Sequence, residues 1–442
     1  MARNRVIYQS QALYIAPNST GIQVSGTDAA GGIAPFSAAN NSAAYNTGQL
    51  ASGDSLLYKL DRVQNCNFNF TINRQDVNEL GQLARIDTIV TEAPTVGLDF
   101  SYYITDGLNE RLLGFNFSGR NFQGSDPTDT QSVSGASAIS GLMVDTQGNN
   151  FYIITVDEGE DVVGANLAIN NNTVIGIGNG FISEYSLDAS VGNIPTASVT
   201  IEGYNIKCDT NSQVQLDNGS YVVTGASPAI DFSASPATRL TGIERRYVIN
   251  SNSNTTGVST VPALRPGDIV LTLPTNEGFT ELDSATDRAH IQSFAFTIPL
   301  TRTVLQRLGN TFGFARVIEV PLNMDININA VVNELQSADI FDVMCGSQSK
   351  KDFAITLNQC ADAGGTPQPK ISYLIKGGIL TSESFSTDIG GNQTVDLTYS
   401  IQIGGANDTN NGIFFSGSYT TGSALTQLKL NNYYKLGTGK NY

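Results

Sequence analysis

From Val63 to Thr71 the chain reads VQNCNFNFT, so Cys66, Phe68 and Phe70 alternate with asparagines. The apolar phase continues to Ile72 and returns at Leu98, Phe100 and Tyr102, then at Ala197, Val199 and Ile201. Period two with a polar opposite phase predicts antiparallel strands buried on one face. That opposite phase carries Asn65, Asn67, Asn69 and Thr71, then Asp99 and Ser101, then Ser198, Thr200 and Glu202. Leu80–Gly81 and, later, Leu308–Gly309 read as short helical turns, each ended by a glycine able to take positive φ, and NERLLGF from Asn109 reads as a short helix. The stretches 18–55 and 119–150, rich in Gly, Ala, Ser and Asn, read as long loops.

The pattern then repeats. FNFTINRQDVNELG (Phe68–Gly81) matches FTIPLTRTVLQRLG (Phe296–Gly309) at an offset of 228, pairing Phe68 with Phe296, Arg74 with Arg302, Leu80 with Leu308 and Gly81 with Gly309. ISEYSLDASVGNIPTASVTIEG (Ile182–Gly203) matches LTSESFSTDIGGNQTVDLTYSI (Leu380–Ile401) at an offset of 198. Between these anchors Ala84–Arg85 aligns with Ala315–Arg316, which requires a three-residue insertion near Thr311 in the second half. Asn333 opens a second short helical pattern, NELQSADIFDVM. An internal repeat of this kind predicts one structural unit used twice. The expected division is residues 1–207, residues 208–408, and a strand-prone C-terminal extension over 409–442. In the second unit the polar phase holds Ala295 and Thr297, then Asp325, Asn327 and Asn329, then Asp396, Thr398, Ser400 and Gln402.

Composition sharpens the reading of those polar faces. Only 14% of the 442 residues are charged, and polarity comes from Asn, Ser, Thr and Gln, with 44 Gly and no Trp. That mix suits strands and turns better than exposed helices, which carry Glu, Lys and Arg. The net charge is −16, from 20 acids and 9 bases in residues 1–207 and 20 acids and 15 bases in 208–442, so both halves are acidic. Such a surface opposes nucleic-acid binding, which depends on cations neutralising phosphates. Within the cores of the six matching strands no Lys or Arg occurs; Arg74 and Arg302 stand at strand ends. Ordinary solvated sheet faces use Lys freely, often as a guard against edge aggregation. A cation-free face is therefore suited to a polyanion that must pass without being held.

Signals for catalysis or cofactors are weak. His290 is the single histidine, and it reads as a surface or satisfied residue. The acidic stretch DEGEDVVGAN (Asp157–Asn166) lacks the spacing of a calcium loop. IGIGNG (Ile175–Gly180) precedes a strand and opens no helix, so it is no phosphate loop. The expectation is a non-enzyme with no catalytic, cofactor or metal site. Cys66, Cys208, Cys345 and Cys360 show no metal spacing and read as buried free thiols, ahead of a Cys345–Cys360 disulfide. MARNRVIYQSQ has no apolar core of signal-peptide length, and no run reaches membrane-helix length, so synthesis in a cytoplasm without membrane association is expected.

RVQNCNFNFTINRQDVNELGQLARIDTIVTEAPTVGLDFSYY, YSLDASVGNIPTASVTIEGYNI and GGILTSESFSTDIGGNQTVDLTYSIQIG resemble the tail tube (major tail) proteins of long-tailed bacteriophages, over most of 56–207 and 285–403. The resemblance implies a mainly β chain: two tandem tail-tube-type β-sandwich or split-barrel domains, each with a short flanking helix. It implies a virion protein of the tail, assembled in the host cytoplasm, whose homotrimeric pseudo-hexameric rings stack into a tube. Double-stranded DNA crosses that tube on ejection without specific binding. Partners implied are further copies of the chain and other tail proteins at the tube ends, with a surrounding sheath left open. Lumen-facing candidates are Asn67, Asn69, Asp99, Ser101, Ser198, Thr200 and Glu202, with Thr297, Asp325, Asn327, Asp396, Thr398 and Ser400 from the second half. The alternative is a trimeric tail adhesin or receptor-binding component, which would need an exposed recognition surface and would not polymerise. A polysaccharide-degrading enzyme would call for paired acids in a cleft and abundant aromatics, and Trp is absent.

Overall fold

The computed structural model describes residues 10–17, 56–115, 137–144, 148–156, 172–216, 289–332, 350–359, 368–387, 391–405 and 408–417, with short pieces between 26 and 34, at 162, and between 228 and 281. The fold is mainly β, built from large antiparallel sheets. In chain order the elements used below are β1 (Gln11–Pro17), β2 (Leu56–Lys59), β3 (Val63–Thr71), β4 (Arg74–Val77), β5 (Asp87–Val90), β6 (Thr95–Tyr103), α1 (Leu108–Leu113), α2 (Ser140–Val144), β7 (Asn149–Thr155), β8 (Asn172–Ser190), β9 (Thr196–Gly203) and β10 (Asn205–Leu216). They continue as β11 (Ile269–Thr272), β12 (Ala289–Pro299), β13 (Arg302–Leu305), β14 (Ala315–Ile318), β15 (Leu322–Val332), β16 (Lys351–Gln359), β17 (Gln368–Ser386), β18 (Thr394–Ile403) and β19 (Gly412–Gly417).

Eight strands form one antiparallel layer in the order β3-β6-β9-β8-β12-β15-β18-β17. The alternation predicted for these strands is visible in their burial. β6 alternates through buried Val96, Leu98, Phe100 and Tyr102, and β18 through buried Val395, Leu397, Tyr399 and Ile401. These side chains share one apolar core with Leu13 and Ile15 of β1, Phe151 and Ile153 of β7, and Phe353 and Ile355 of β16, which lie in the strands stacked behind the layer.

β8 and β17 belong to both layers. Each is nineteen residues long. The first half of β8 pairs with β7 and β10, and the first half of β17 with β16 and β19; the second halves enter the eight-stranded layer. The turn between layers falls at Asn179 (φ 54°) and Gly377 (φ 85°), left-handed positions that Gly and Asn tolerate best. The next residues, Gly180 and Gly378, leave no room for a side chain. A Cβ there would lie 2.8 Å from the Phe151 ring and 2.6 Å from the Phe353 ring, respectively.

The same register recurs at constant offsets. β3 on β6 pairs Cys66 with Phe100 and Phe68 with Leu98; β12 on β15 pairs Phe294 with Ile328 and Phe296 with Ile326, each 228 positions on. Both pairings skip one residue at equivalent places, Gln64 and Gln292. β8 on β9 and β17 on β18 correspond at 198, with matching skips at Ser183 and Thr381. The β4–β5 hairpin (Arg74 opposite Val90) and the β13–β14 hairpin (Arg302 opposite Ile318) correspond at 228.

Several expectations are corrected by this register. Leu80–Gly81 and Leu308–Gly309 are not helical turns but the tips of β-hairpins, although both glycines do have positive φ (97° and 85°). Ala315–Arg316 stands opposite Val304 and Leu305, as Asp87–Thr88 stands opposite Asp76 and Val77, so the Ala-Arg alignment and its three-residue insertion are wrong. Residues 412–417, expected past the repeat, pair with β17 (Ile413 opposite Ile375) as β10 pairs with β8 (Ile206 opposite Ile177). The boundary expected at 207/208 falls inside β10. Part of the expected loop 119–150 is instead α2 and the start of β7. The helix expected from Asn333 and most of 18–55 lie outside the described residues, as do Cys345 and Cys360. Cys208 is an exposed free thiol, not a buried one, because its strand presents it outward; Cys66 is half-buried, and burial pushes its thiol up to about 12.

Candidate functional site

The face of the eight-stranded layer opposite the core gathers all the polar positions singled out in the sequence. One row of directly opposed residues runs Asn65, Ser101, Ser198, Ser186, Thr297, Asp325, Ser400 across seven strands. A second runs Asn67, Asp99, Thr200, Glu184. A third runs Asp188, Ala295, Asn327, Thr398, Ser382, and a fourth Ser293, Asn329, Asp396, Ser384. Asn69 lies opposite Gly97 at one margin. Side-chain bonds tie neighbours together: the Asn329 amide donates to Asp396 at 2.6 Å, and the Thr398 hydroxyl donates to Asn327 at 3.0 Å. The Asn65 carbonyl takes the Ser101 N–H at 2.8 Å, filling the ladder position that the skipped residue vacates.

Electrostatically this face is one-sided. The eight strand segments that build it contain no Lys or Arg, while Asp99, Glu184, Asp188, Glu202, Asp325 and Asp396 place carboxylates on it. Glu184 and Asp188 add to the sequence-derived set; the alternation of Tyr185, Leu187 and Ala189 between them was the signal for their phase. Glu202 stands apart from the rest, because Arg316 of the β13–β14 hairpin reaches it at 3.2 Å.

That hairpin folds over one end of the face. Its inward side carries Arg302, Val304, Arg316 and Ile318, and the opposite side, with Thr303, Leu305 and Val317, is more exposed. Arg302 lies 5.0 Å over the Phe181 ring and donates to the Leu142 carbonyl at 2.8 Å. Arg316 lies 4.3 Å over the Tyr204 ring, and Phe312 meets Tyr204 edge-on at 5.8 Å. Among the described residues the β4–β5 hairpin rests on no such seat: all of Arg74–Val77 is exposed, as are Leu80, Leu83, Ile86 and Ile89.

The two ends of the layer are also uncovered. β3 exposes Phe68 (41%) and Phe70 (60%), and β17 exposes Phe385 (40%), although the same phase is buried in the strands between them; Ile379 (43%), opposite Ser400, is exposed on the polar face. Near Ile379 a cavity of about 440 Å³ opens between β17, β18 and the segment 320–321. It is lined by Val320, Pro321, Gly377, Ile379, Ser400 and Gln402, among others.

One acid lies on the far side of the layer, in the core. Glu110 of α1 is 1% exposed and accepts hydroxyls from Tyr102 at 2.9 Å and Tyr185 at 3.3 Å. Burial dominates over these bonds and pushes its carboxyl from 4.5 to about 7. It is sealed among aromatic rings, with Phe115 edge-on to Tyr185 at 4.9 Å. Among the described residues no three His, Cys, Asp or Glu side chains converge as a metal site. His290 is exposed at the start of β12, and IGIGNG lies inside β8. DEGEDVVGAN falls almost wholly outside the described residues. No described helix is long and apolar enough to cross a membrane. No protein-family model matches the chain, and no curated protein is significantly similar to it.

Proposed function

We propose that this chain is a structural subunit of a phage-type tail tube, two tandem sandwich domains that close with two further copies into a pseudo-six-fold ring. The observation that carries the reading is the junction inside the chain. β8, the last strand of the first four, pairs edge to edge with β12, the first strand of the next four, over seven residue pairs from Glu184–Pro299 to Ser190–Ser293. Among the described residues the layer then ends on β3 and β17, strands of the same two types, each paired on its inner side alone. A head-to-tail contact that repeats this junction either closes a ring or propagates an open filament. Closure leaves no strand edge exposed, which an isolated layer of this kind does.

Dimensions and charge fit a conduit for DNA. Eight strands from each of three chains, at ~4.8 Å spacing and tilted ~40°, close on a barrel about 45–50 Å across between backbones. With the apolar side of the layer turned into the core, the face with Asn67, Asp99, Ser198, Thr200, Thr297, Asp325, Asn327, Asp396 and Thr398 lines the bore. Its carboxylates repel the phosphates of a passing duplex, and the strands offer no cation to hold them. Polar amides and hydroxyls keep the wall wetted. Negative-stain microscopy of the purified chain tests the proposal. Stacked rings or tubes are expected; isolated trimeric spikes would mark an adhesin instead, and monodisperse monomers at high concentration would refute ring formation.

A further inference from the structure

The junction within the chain specifies the contact between chains. Resting on the ring reading above, we infer that the β17 edge of one copy pairs antiparallel with the β3 edge of the next, with Phe385 opposite Phe68. The β4–β5 hairpin of that next copy then fills the cavity beside Ile379. The register follows from two constant offsets. β8 maps to β17 by 198 positions with the skip at Ser183 reproduced at Thr381, and β12 maps to β3 by 228 with the skip at Gln292 reproduced at Gln64. Leu187 faces Phe296 inside the chain, so Phe385 faces Phe68 between chains; Ser186 faces Thr297, so Ser384 faces Asn69. The exposed apolar side chains at both free edges are those this pairing covers.

The hairpin seat obeys the same map. Inside the chain the β13–β14 hairpin rests on Phe181, Glu202 and Tyr204. Moving those three on by 198 gives Ile379, Ser400 and Gln402, and all three line the empty cavity. Moving the hairpin back by 228 replaces Arg316 with Thr88 and Phe312 with Ala84. At two of the three contacts both partners change together, while Arg302 over Phe181 becomes Arg74 beside Ile379. The Arg316–Glu202 ion pair becomes a Thr88–Ser400 pair of hydroxyls, and the Phe312–Tyr204 aromatic contact becomes Ala84 against Gln402. Neither exchange strands a buried charge, as an unrelated surface would be expected to do. Occupation by a second copy of this chain is what that matched pair of changes selects.

Paired cysteines test the register. Asn69 and Ser384 are exposed on opposite edges of the layer, seven strand spacings or roughly 34 Å apart at ~4.8 Å each, so a disulfide between them can only join two chains. After mild oxidation, Asn69→Cys with Ser384→Cys should run as covalent dimers and closed trimers on a non-reducing gel. The single variants set the background from the native thiols. A slipped pair, Asn67→Cys with Ser384→Cys, should stay near that background, since diagonal neighbours stand ~7–8 Å apart. Rings in the microscope with no Asn69–Ser384 cross-link, or with the slipped pair linking as well, would overturn the register and leave the ring reading standing. Cross-linked open strings without closed trimers would support the edge pairing and sink the ring. Uncross-linked monomers would overturn both.

Discussion

Glu110→Gln isolates the cost of the carboxylate buried behind the layer. In the native protein burial raises this carboxyl from 4.5 to about 7, against the opposing pull of the Tyr102 and Tyr185 hydroxyls. The interval is worth about 3 kcal/mol at 1.36 kcal/mol per pH unit. Because the folded state holds the proton more tightly than the unfolded chain, the contribution is fully present below pH 4.5. It declines as pH rises through the interval and is lost above pH 7. About 2 kcal/mol of that loss lies above pH 5.5, clear of the chain's pI near 4.4. Glutamine keeps an acceptor for both tyrosines and cannot ionise, though its buried NH2 group adds a constant penalty of about 1–3 kcal/mol if unpaired. The constant term cancels when pH profiles are compared. Urea midpoints followed by circular dichroism from pH 5.5 to 8.5 should show the native chain losing about 2 kcal/mol relative to Glu110→Gln. Parallel profiles, within about 0.5 kcal/mol, would show that the carboxyl is hydrated or otherwise compensated and would refute the reasoning.

Three further outcomes are expected. Gly180→Ala should destabilise the fold by about 1–3 kcal/mol, read as a lower thermal midpoint, because its Cβ would meet Ile201 and the Phe151 ring at 2.8 Å; an unchanged midpoint would mean the layer bend yields freely. Ser400→Glu should weaken assembly about tenfold by sedimentation, and Thr88→Arg in the same chain should restore it by recreating the Arg316–Glu202 pair; no rescue would place Thr88 elsewhere. Asp325→Lys with Asp396→Lys should leave tubes intact while slowing DNA release from assembled particles, and unchanged release kinetics would remove these two positions from the bore.

The legible part of the fold was the part with one wet face. β6, β9, β12, β15 and β18 alternate because one side meets solvent, and period two survives in the sequence. β7 carried no such mark: all seven of its residues are buried, so NNFYIIT reads as a plain apolar run. Its counterpart β16 is buried in runs and lacks the alternation too, and nothing in the strand-prone extension shows that β19 pairs with β17. The hairpins escaped because Leu80 and Leu308 are more than fully exposed at their tips, where an apolar residue followed by glycine imitates a helix end. The polar phase of the face could be read residue by residue. Its edges could not, because β3 continues the alternation through Phe68 and Phe70 although nothing among the described residues covers them. Only pairing partners distinguish a central strand from a terminal one.

The bond between β8 and β12 also alters how such an assembly would nucleate. Six separate units must meet to close a ring, whereas prefused pairs need only three chains to meet. The rate of the first closure then scales with roughly the third power of chain concentration instead of the sixth. Half the contacts form at the high local concentration that a tether provides, on the order of millimolar for short flexible linkers. A cell holding little of this chain could still start a ring promptly, and a tenfold dilution would cost it a thousandfold in rate where unfused units would lose a millionfold.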